Sequence, residues 1–144
     1  MTLERVDFYL LNESVPDGKL RAACRIARKA LIQGYTTYVQ TDDAAQAERL
    51  DDLMWTFDQG SFVPHRRADG GGEPAPVLIG FEPPEGDPAD VLLSLGRELP
   101  RHFDLYRRIA EVVDDTESDK RLARQRYKAY QDRGCQLETH HISP

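Results

Sequence analysis

Between residues 19 and 33 the apolar side chains Leu20, Ala23, Cys24, Ala27, Ala30 and Leu31 recur at intervals of three and four, while Arg21, Arg25, Arg28 and Lys29 fill the other positions. That spacing builds one apolar stripe along a helix and leaves the cations to solvent, with Gly34 as the stop. Residues 5–11 lack any such period. Phe8, Tyr9, Leu10 and Leu11 form a short apolar run bounded by Asn12 and the turn signal Pro16-Asp17-Gly18, the pattern of a buried first strand. Residues 35–40 are β-branched and aromatic and predict a second strand, after which Thr41-Asp42-Asp43 offers an N-cap. The helix behind that cap is predicted to run to about Trp55, with Ala47, Leu50 and Met54 facing inward.

Residues 56–76 show no period and contain Gly60, Pro64, Gly70, Gly71, Gly72, Pro74 and Pro76, so a long loop is expected, and loops of that length inside a compact domain tend to be functional or mobile. Its one apolar knot, Ser61-Phe62-Val63-Pro64-His65, follows the chain's single tryptophan, Trp55. Two readings of Trp55 and Phe62 stand side by side: closure of the core, or anchors of a partner surface, where large aromatics are enriched. Residues 77–81 and 91–95 predict third and fourth strands, separated by a Pro-rich turn at 83–88. Over residues 99–113, Phe103, Tyr106, Ile109, Ala110 and Val113 suit a helix, whereas 109–113 also suits a strand; so short a run fits both periods. A C-terminal helix follows, and residues 135–142 can add an edge strand.

Strand, helix, strand, helix from the N-terminus favours an α/β fold with a mostly parallel sheet and helices on both faces, in three layers. At 144 residues the chain suits one domain, 1–144, large enough to bury a core without metal or disulfide staples. With 40% hydrophobic and 31% charged residues the composition is that of an ordinary globular protein. Glu4 and Asp7 flank the first apolar run, no basic segment precedes a long apolar one, and no window nears the length of a membrane span. A soluble cytoplasmic protein is expected, its Cys24 and Cys135 free thiols.

A net charge of −6 argues against a protein that lives by gripping long phosphate backbones, since such affinity comes from neutralising phosphates and releasing counterions. Catalytic signatures are also missing. Residues 12–19 end in Gly18-Lys19 but lack the leading glycine of a P-loop and place Leu20 where a magnesium-binding Ser or Thr belongs. Gly70 to Gly72 lack the strand-loop-helix setting that aims backbone amides at a phosphate. His140 and His141, adjacent near the C-terminus, match no tetrahedral metal pattern with Cys135 and read as tail residues. His65 and His102 have no recognisable nucleophile partner. No catalytic residue, metal or cofactor is expected, and a binding module is favoured.

One stretch opposes the acidic balance. Residues 119–134 read Asp-Lys-Arg-Leu-Ala-Arg-Gln-Arg-Tyr-Lys-Ala-Tyr-Gln-Asp-Arg-Gly. On a helix, Lys120, Arg124, Tyr127 and Lys128 fall at i, i+4, i+7 and i+8, so three cations and one ring share a stripe beside Leu122, Ala123, Ala129 and Tyr130. Ser118 can serve as N-cap and Gly134 as stop. A stripe of this kind is either a solvated face or a surface for something anionic. On an acidic body it suits a small anionic target, such as a carboxylate-rich peptide, better than a long polyanion.

The same stretch resembles the C-terminal helix of the chi subunit of bacterial DNA polymerase III, through Ala-Arg-Gln-Arg-Tyr-Lys-Ala-Tyr followed by Gly134. Three further blocks lie in the same order as in that family: Asp-Phe-Tyr-Leu-Leu at 7–11, Leu-Asp-Asp-Leu-Met-Trp at 50–55 with Ser-Phe-Val-Pro-His at 61–65, and Glu-Val-Val-Asp at 111–114. The resemblance implies a shape like mononucleotide-binding α/β proteins without a P-loop. It implies a non-catalytic replisome adaptor within the clamp-loader assembly, which binds the acidic C-terminal tail of single-stranded DNA-binding protein. On that likeness Lys120, Arg124, Tyr127 and Lys128 would grip the tail, which ends in Pro-Phe. Trp55 and Phe62 would face a psi subunit or an accessory helicase. Nucleic acid would be contacted only indirectly, and a membrane not at all. Residues 114–119, Asp-Asp-Thr-Glu-Ser-Asp, depart from the family as a shorter and more acidic wall. The competing expectation is a module that binds single-stranded nucleic acid directly through the same helix, with Tyr127 stacking on bases.

Overall fold

A computed structural model of the chain describes residues 3–57, 62–68, 70, 74–82 and 86–144. Gly60, Ser61, Gly71, Gly72 and residues 83–85 of the predicted turn, named above, lie outside the described residues. The chain runs β1 (Arg5–Leu11), α1 (Gly18–Ile32), β2 (Thr37–Gln40), α2 (Ala44–Met54), β3 (His65–Arg67), β4 (Val77–Gly80), β5 (Val91–Ser94), β6 (Arg108–Val113), α3 (Glu117–Asp132) and β7 (Leu137–Ile142). All seven strands join one sheet in the order β3-β4-β2-β5-β6-β1-β7, and every pairing is parallel.

The three-layer α/β expectation holds because each strand's alternate side chains meet a different layer. Leu11, Val39, Val77, Ile79, Leu93, Ala110 and Val112 point to one face, where the small stripe Ala23, Cys24 and Ala27 of α1 and Ala47, Leu50 and Met54 of α2 close over them. Val6, Phe8, Tyr38, Leu92 and Ile109 point to the other face and meet Ala123 and Tyr130 of α3. Asp43 caps α2, its side chain accepting from the Gln46 amide, as the sequence predicts.

The structure corrects three expectations and, at residues 99–113, decides between two readings. The long loop at 56–76 contains β3, a three-residue edge strand too short to leave a period in the sequence. Residues 99–113 form no α-helix. A single 3-10 turn, Phe103–Leu105, precedes β6, which is buried on both faces and therefore carries the continuous apolar run of a central strand. The N-cap of α3 is Thr116, whose hydroxyl accepts from the Asp119 amide at 3.3 Å; Ser118 already lies inside the helix. His140 and His141 belong to β7, and His140 is no idle tail residue. Its Nε2 lies 2.8 Å from the buried carboxylate of Asp7, and its ring stacks on Tyr9 with centroids 4.8 Å apart.

A polar row crosses the sheet beneath α3. Gly80, Gln40, Ser94, Glu111, Phe8 and Thr139 are register partners on consecutive strands. Glu111 at its centre is fully buried, and α3 sits on it: Arg126 Nε lies 3.1 Å from Oε1, and the Tyr130 hydroxyl donates to Oε2 at 2.7 Å. Arg126 Nη1 also donates to the Arg97 carbonyl at 2.9 Å. Burial pushes the Glu111 carboxyl up from its ordinary range, while Arg126 and hydrogen bonds from Tyr130 and Ser94 draw it back. Ala123, Arg126 and Tyr130, at i, i+3 and i+7, are the buried stripe of α3, so one of its arginines belongs to the core.

Removing one partner of such a pair leaves the other charge buried alone. Glu111→Ala is therefore expected to destabilise the fold by about 3–5 kcal/mol in urea denaturation, against about 0.5 kcal/mol or less for the exposed Arg121→Ala. Burial pushes the Cys24 thiol from its ordinary value of 9.0 up to about 12. The folded chain thus keeps a proton that the unfolded chain releases, so this thiol's contribution is complete below pH 9 and is lost as pH rises toward 12. Stability measured across that alkaline window should fall less steeply in Cys24→Ala. The half-buried Cys135 should react with a thiol reagent well before Cys24 in the native protein.

Candidate functional site

Two clefts flank α3. The first lies between α3 and the edge formed by β1 and β7, with a volume of about 190 Å³. Its floor is apolar: Phe8 and Leu10 come from β1, Val113 from the end of β6, and Ala123 from α3. Tyr127 forms a wall and leans on Phe8, ring centroids 5.3 Å apart and planes tilted by 57°. Lys120 and Arg124 stand on the rim, with Thr139 of β7 opposite. The helix rise puts Lys120, Arg124 and Tyr127 on successive turns of one face, and the core stripe of Ala123, Arg126 and Tyr130 turns that face toward the cleft.

Of the four residues predicted from the stripe, the structure brings three together on this cleft. Lys128 is exposed one turn further along, outside the lining, and pairs with Asp132 at 3.4 Å. Such an exposed i, i+4 pair is worth only a few tenths of a kcal/mol and exchanges readily. Lys120 is more firmly engaged: its ammonium lies 2.6 Å from Asp115, whose hydrogen bond and charge raise the Lys120 pKa. Arg124 is exposed and has no ion-pair partner among the described residues.

The acidic wall at 114–119 is largely satisfied within itself. Asp119 lies 3.2 Å from the Lys19 ammonium and accepts from the Asp114 amide at 2.7 Å, and Asp114 accepts from the Asp115 amide at 2.8 Å. Lys19 also donates to the Leu95 carbonyl at 3.0 Å, so the lysine of the P-loop-like Gly18-Lys19 is a structural tie. Sequence reasoning missed Phe8, Leu10 and Thr139 as cleft residues. Their signal was the alternation within the first strand, which sends Phe8 and Leu10 to the α3 face and Tyr9 and Leu11 to the other.

A second surface lies at the opposite end of the sheet. Trp55 and Phe62 are 57% and 56% exposed, which removes the core-closure reading. Their rings stack with centroids 5.2 Å apart and planes 27° from parallel. Buried His65 supports them from below, 4.7 Å from the Trp55 ring, and is held by the Val63 carbonyl at 2.6 Å from Nδ1; Asp51 approaches Nε2 at 3.3 Å without a hydrogen bond. Of metal-ligating groupings among the described residues, Asp7, Glu138 and His140 come together. Arg5 approaches both carboxylates, at 3.1 and 3.4 Å, and Arg108 approaches Asp7 at 3.7 Å, so the local charge is already balanced. The cluster acts as a strap fastening β7 to β1. No helix among the described residues is long and apolar enough to cross a membrane.

Comparison with known proteins finds relatives that match nearly the full length of the chain. Among solved structures, the chain is similar to the C-terminal domain of the DEAD-box protein Dbp5, with a TM-score of 0.59, 99% of this chain and 91% of that chain covered, and 10% identity, a likeness of fold alone. The family model described as DNA polymerase III chi subunit, HolC, matches residues 3–138. DNA polymerase III subunit chi of Pseudomonas aeruginosa is 35% identical, covering 97% of this chain and 98% of that protein. The subunit chi of Escherichia coli is 33% identical, at 95% and 97% coverage. That of Haemophilus influenzae is 27% identical, at 94% and 95%. The chain belongs to the DNA polymerase III chi subunit family, whose members are accessory subunits of the replicative polymerase.

Proposed function

We propose that this accessory subunit is a non-catalytic adaptor, which holds the acidic C-terminal tail of single-stranded DNA-binding protein in the cleft beside α3 and links it to the clamp-loader assembly in the cytoplasm. The observation that carries this reading is an apolar cavity the size of one large side chain, floored by Phe8 and Leu10 and rimmed by Arg124 and Lys120. A peptide ending in Pro-Phe presents a ring for such a floor and a carboxylate for such a rim. Arg124 is the cation free to meet the terminal carboxylate. Lys120 serves upstream acids only by exchanging its contact with Asp115, and Lys128 adds charge from outside the cavity.

Direct binding of single-stranded nucleic acid fits less well, because Tyr127 is half-buried and leans on Phe8 with planes tilted by 57°, which reduces the ring surface it can offer a base. The stacked and exposed Trp55 and Phe62 suit an aromatic docking site for the psi subunit or an accessory helicase.

Calorimetry with an acidic peptide ending in Pro-Phe tests the tail site. Arg124→Ala should weaken binding by roughly 1–3 kcal/mol, the range for a lost charge-assisted contact, and Lys128→Ala by less. Asp115→Asn, which frees Lys120, should tighten it, and added salt should weaken all of them. Equal affinity of wild type and Arg124→Ala would remove the assignment, as would comparable retention of a bare oligonucleotide on a filter. For the second surface, Trp55→Ala combined with Phe62→Ala should leave the urea midpoint nearly unchanged yet abolish co-purification of clamp-loader subunits. Undiminished co-purification would discard that surface.

A further inference from the structure

The two edges of the sheet are finished differently. β3 is three residues long, follows Pro64 and carries Arg66 and Arg67, so it offers little to another chain. β7 runs for six residues, Leu137–Ile142, without a lysine, arginine or proline, and it pairs residue for residue with β1, so no bulge interrupts it. Among the described residues nothing pairs with its outer side.

The ladder to β1 decides which backbone groups of β7 are spare. The Val6 amide donates to the Gln136 carbonyl and the Asn12 amide to the Ile142 carbonyl, both at 2.9 Å. In a parallel pair alternate residues of a strand serve a given neighbour, so residues 136, 138, 140 and 142 turn their backbone toward β1. Leu137, Thr139 and His141 therefore aim N–H and C=O outward. They are the register partners of Val6, Phe8 and Leu10, which places their side chains on the α3 face. Thr139 also lines the tail cleft, so the spare ladder begins where that cleft ends.

Cations stand on both faces of this edge. Lys120 and Arg124 rim the cleft on the α3 side. On the α1 side, Arg25 donates through Nη2 to the Ser143 carbonyl, just past the end of β7. The one carboxylate of the strand, Glu138, is the register partner of Asp7 on that α1 side and lies 3.4 Å from Arg5. An extended acidic chain that leaves the cleft across Thr139 meets backbone partners along β7 and opposite charge on either face.

We propose that the segment preceding the terminal Pro-Phe of the acidic tail adds to β7 as a further strand, its backbone pairing with Leu137, Thr139 and His141. This rests on the tail reading above and extends it: the cleft selects the end of the peptide, and the edge holds the residues before it through their main chain. Proline has no amide hydrogen to give a ladder, so the pairing starts upstream of it.

The test uses the ¹⁵N-labelled full chain and two peptides, a short one limited to the Pro-Phe end and a long one that includes the acidic residues before it. Amide hydrogen exchange at Leu137, Thr139 and His141 should slow on saturation with the long peptide and stay at the free rate with the short one. The long peptide should bind about tenfold more tightly. Methylating one alternate set of its backbone nitrogens should abolish that advantage, and methylating the other set should not. His141→Pro removes one outward donor at an edge position that tolerates proline, and it should weaken the long peptide several-fold while sparing the short one. Unslowed exchange at these amides, even with tighter binding of the long peptide, means that charge alone holds the upstream residues; strand addition is then overturned and the cleft reading stands. Failure of both peptides to bind removes the cleft reading as well. Protection of the edge that grows with protein concentration in the absence of peptide means that a second copy occupies β7, which overturns the proposal equally.

Discussion

Glu111 and Arg126 are both buried and lie 3.1 Å apart, and the placement of everything on the α3 face depends on them. Taking two charges out of water is costly, and their attraction offsets this only when geometry is good and the remaining hydrogen-bonding positions are filled. Glu111 meets that condition with donors from Arg126, Tyr130 and Ser94. Apolar contacts alone tolerate rotation of a helix. This pair does not, since a shift of one residue turns a helix by about 100° and would leave both charges unpaired. The network therefore sets which stripe of α3 faces the sheet and which stripes face the flanking clefts.

Why there are clefts at all is a matter of size. A helix with its side chains is roughly 10–12 Å across, and neighbouring strands are about 4.8 Å apart, so one helix covers two or three strands. On the α1 and α2 face, two helices share the sheet. On the other face α3 lies over its centre, and the flanks stay open. The same row of register partners lines both openings, with Phe8 on the floor and Thr139 at the rim of one and Gln40 and Ser94 on the floor of the other. Apolar floor residues on the first side and polar ones on the second give the two openings different chemistry.

Charge is organised on the same local scale. A chain of net charge −6 cannot attract an anion by its overall field. It can do so only where one cation is left uncommitted beside an apolar surface, and where competing carboxylates are held by other partners. Residues 114–119 show how that is reached. Their acids are tied to Lys19, to each other's amides and to Lys120, which leaves Arg124 as the open cation on the rim.

Hydrophobic periodicity by itself determined α1, α2, four of the strands and the parallel three-layer architecture, because burial on one or both faces imprints a period or an unbroken apolar run. It also placed Lys120, Arg124 and Tyr127 on one face of α3, since helical spacing is a local property. β3 was not legible, being only three residues long, and β6 was ambiguous because a strand buried on both faces carries the same apolar letters as a helix. Only the tertiary structure decided that Arg126 is core while Arg124 is surface, that Phe8 and Thr139 share a cleft with α3, and that Lys128 falls outside it. Those outcomes turn on which residue of a distant strand stands opposite. Glu111 and Phe8 are 103 positions apart in sequence yet adjacent in register, and no local pattern records a neighbour that the sheet brings in from elsewhere.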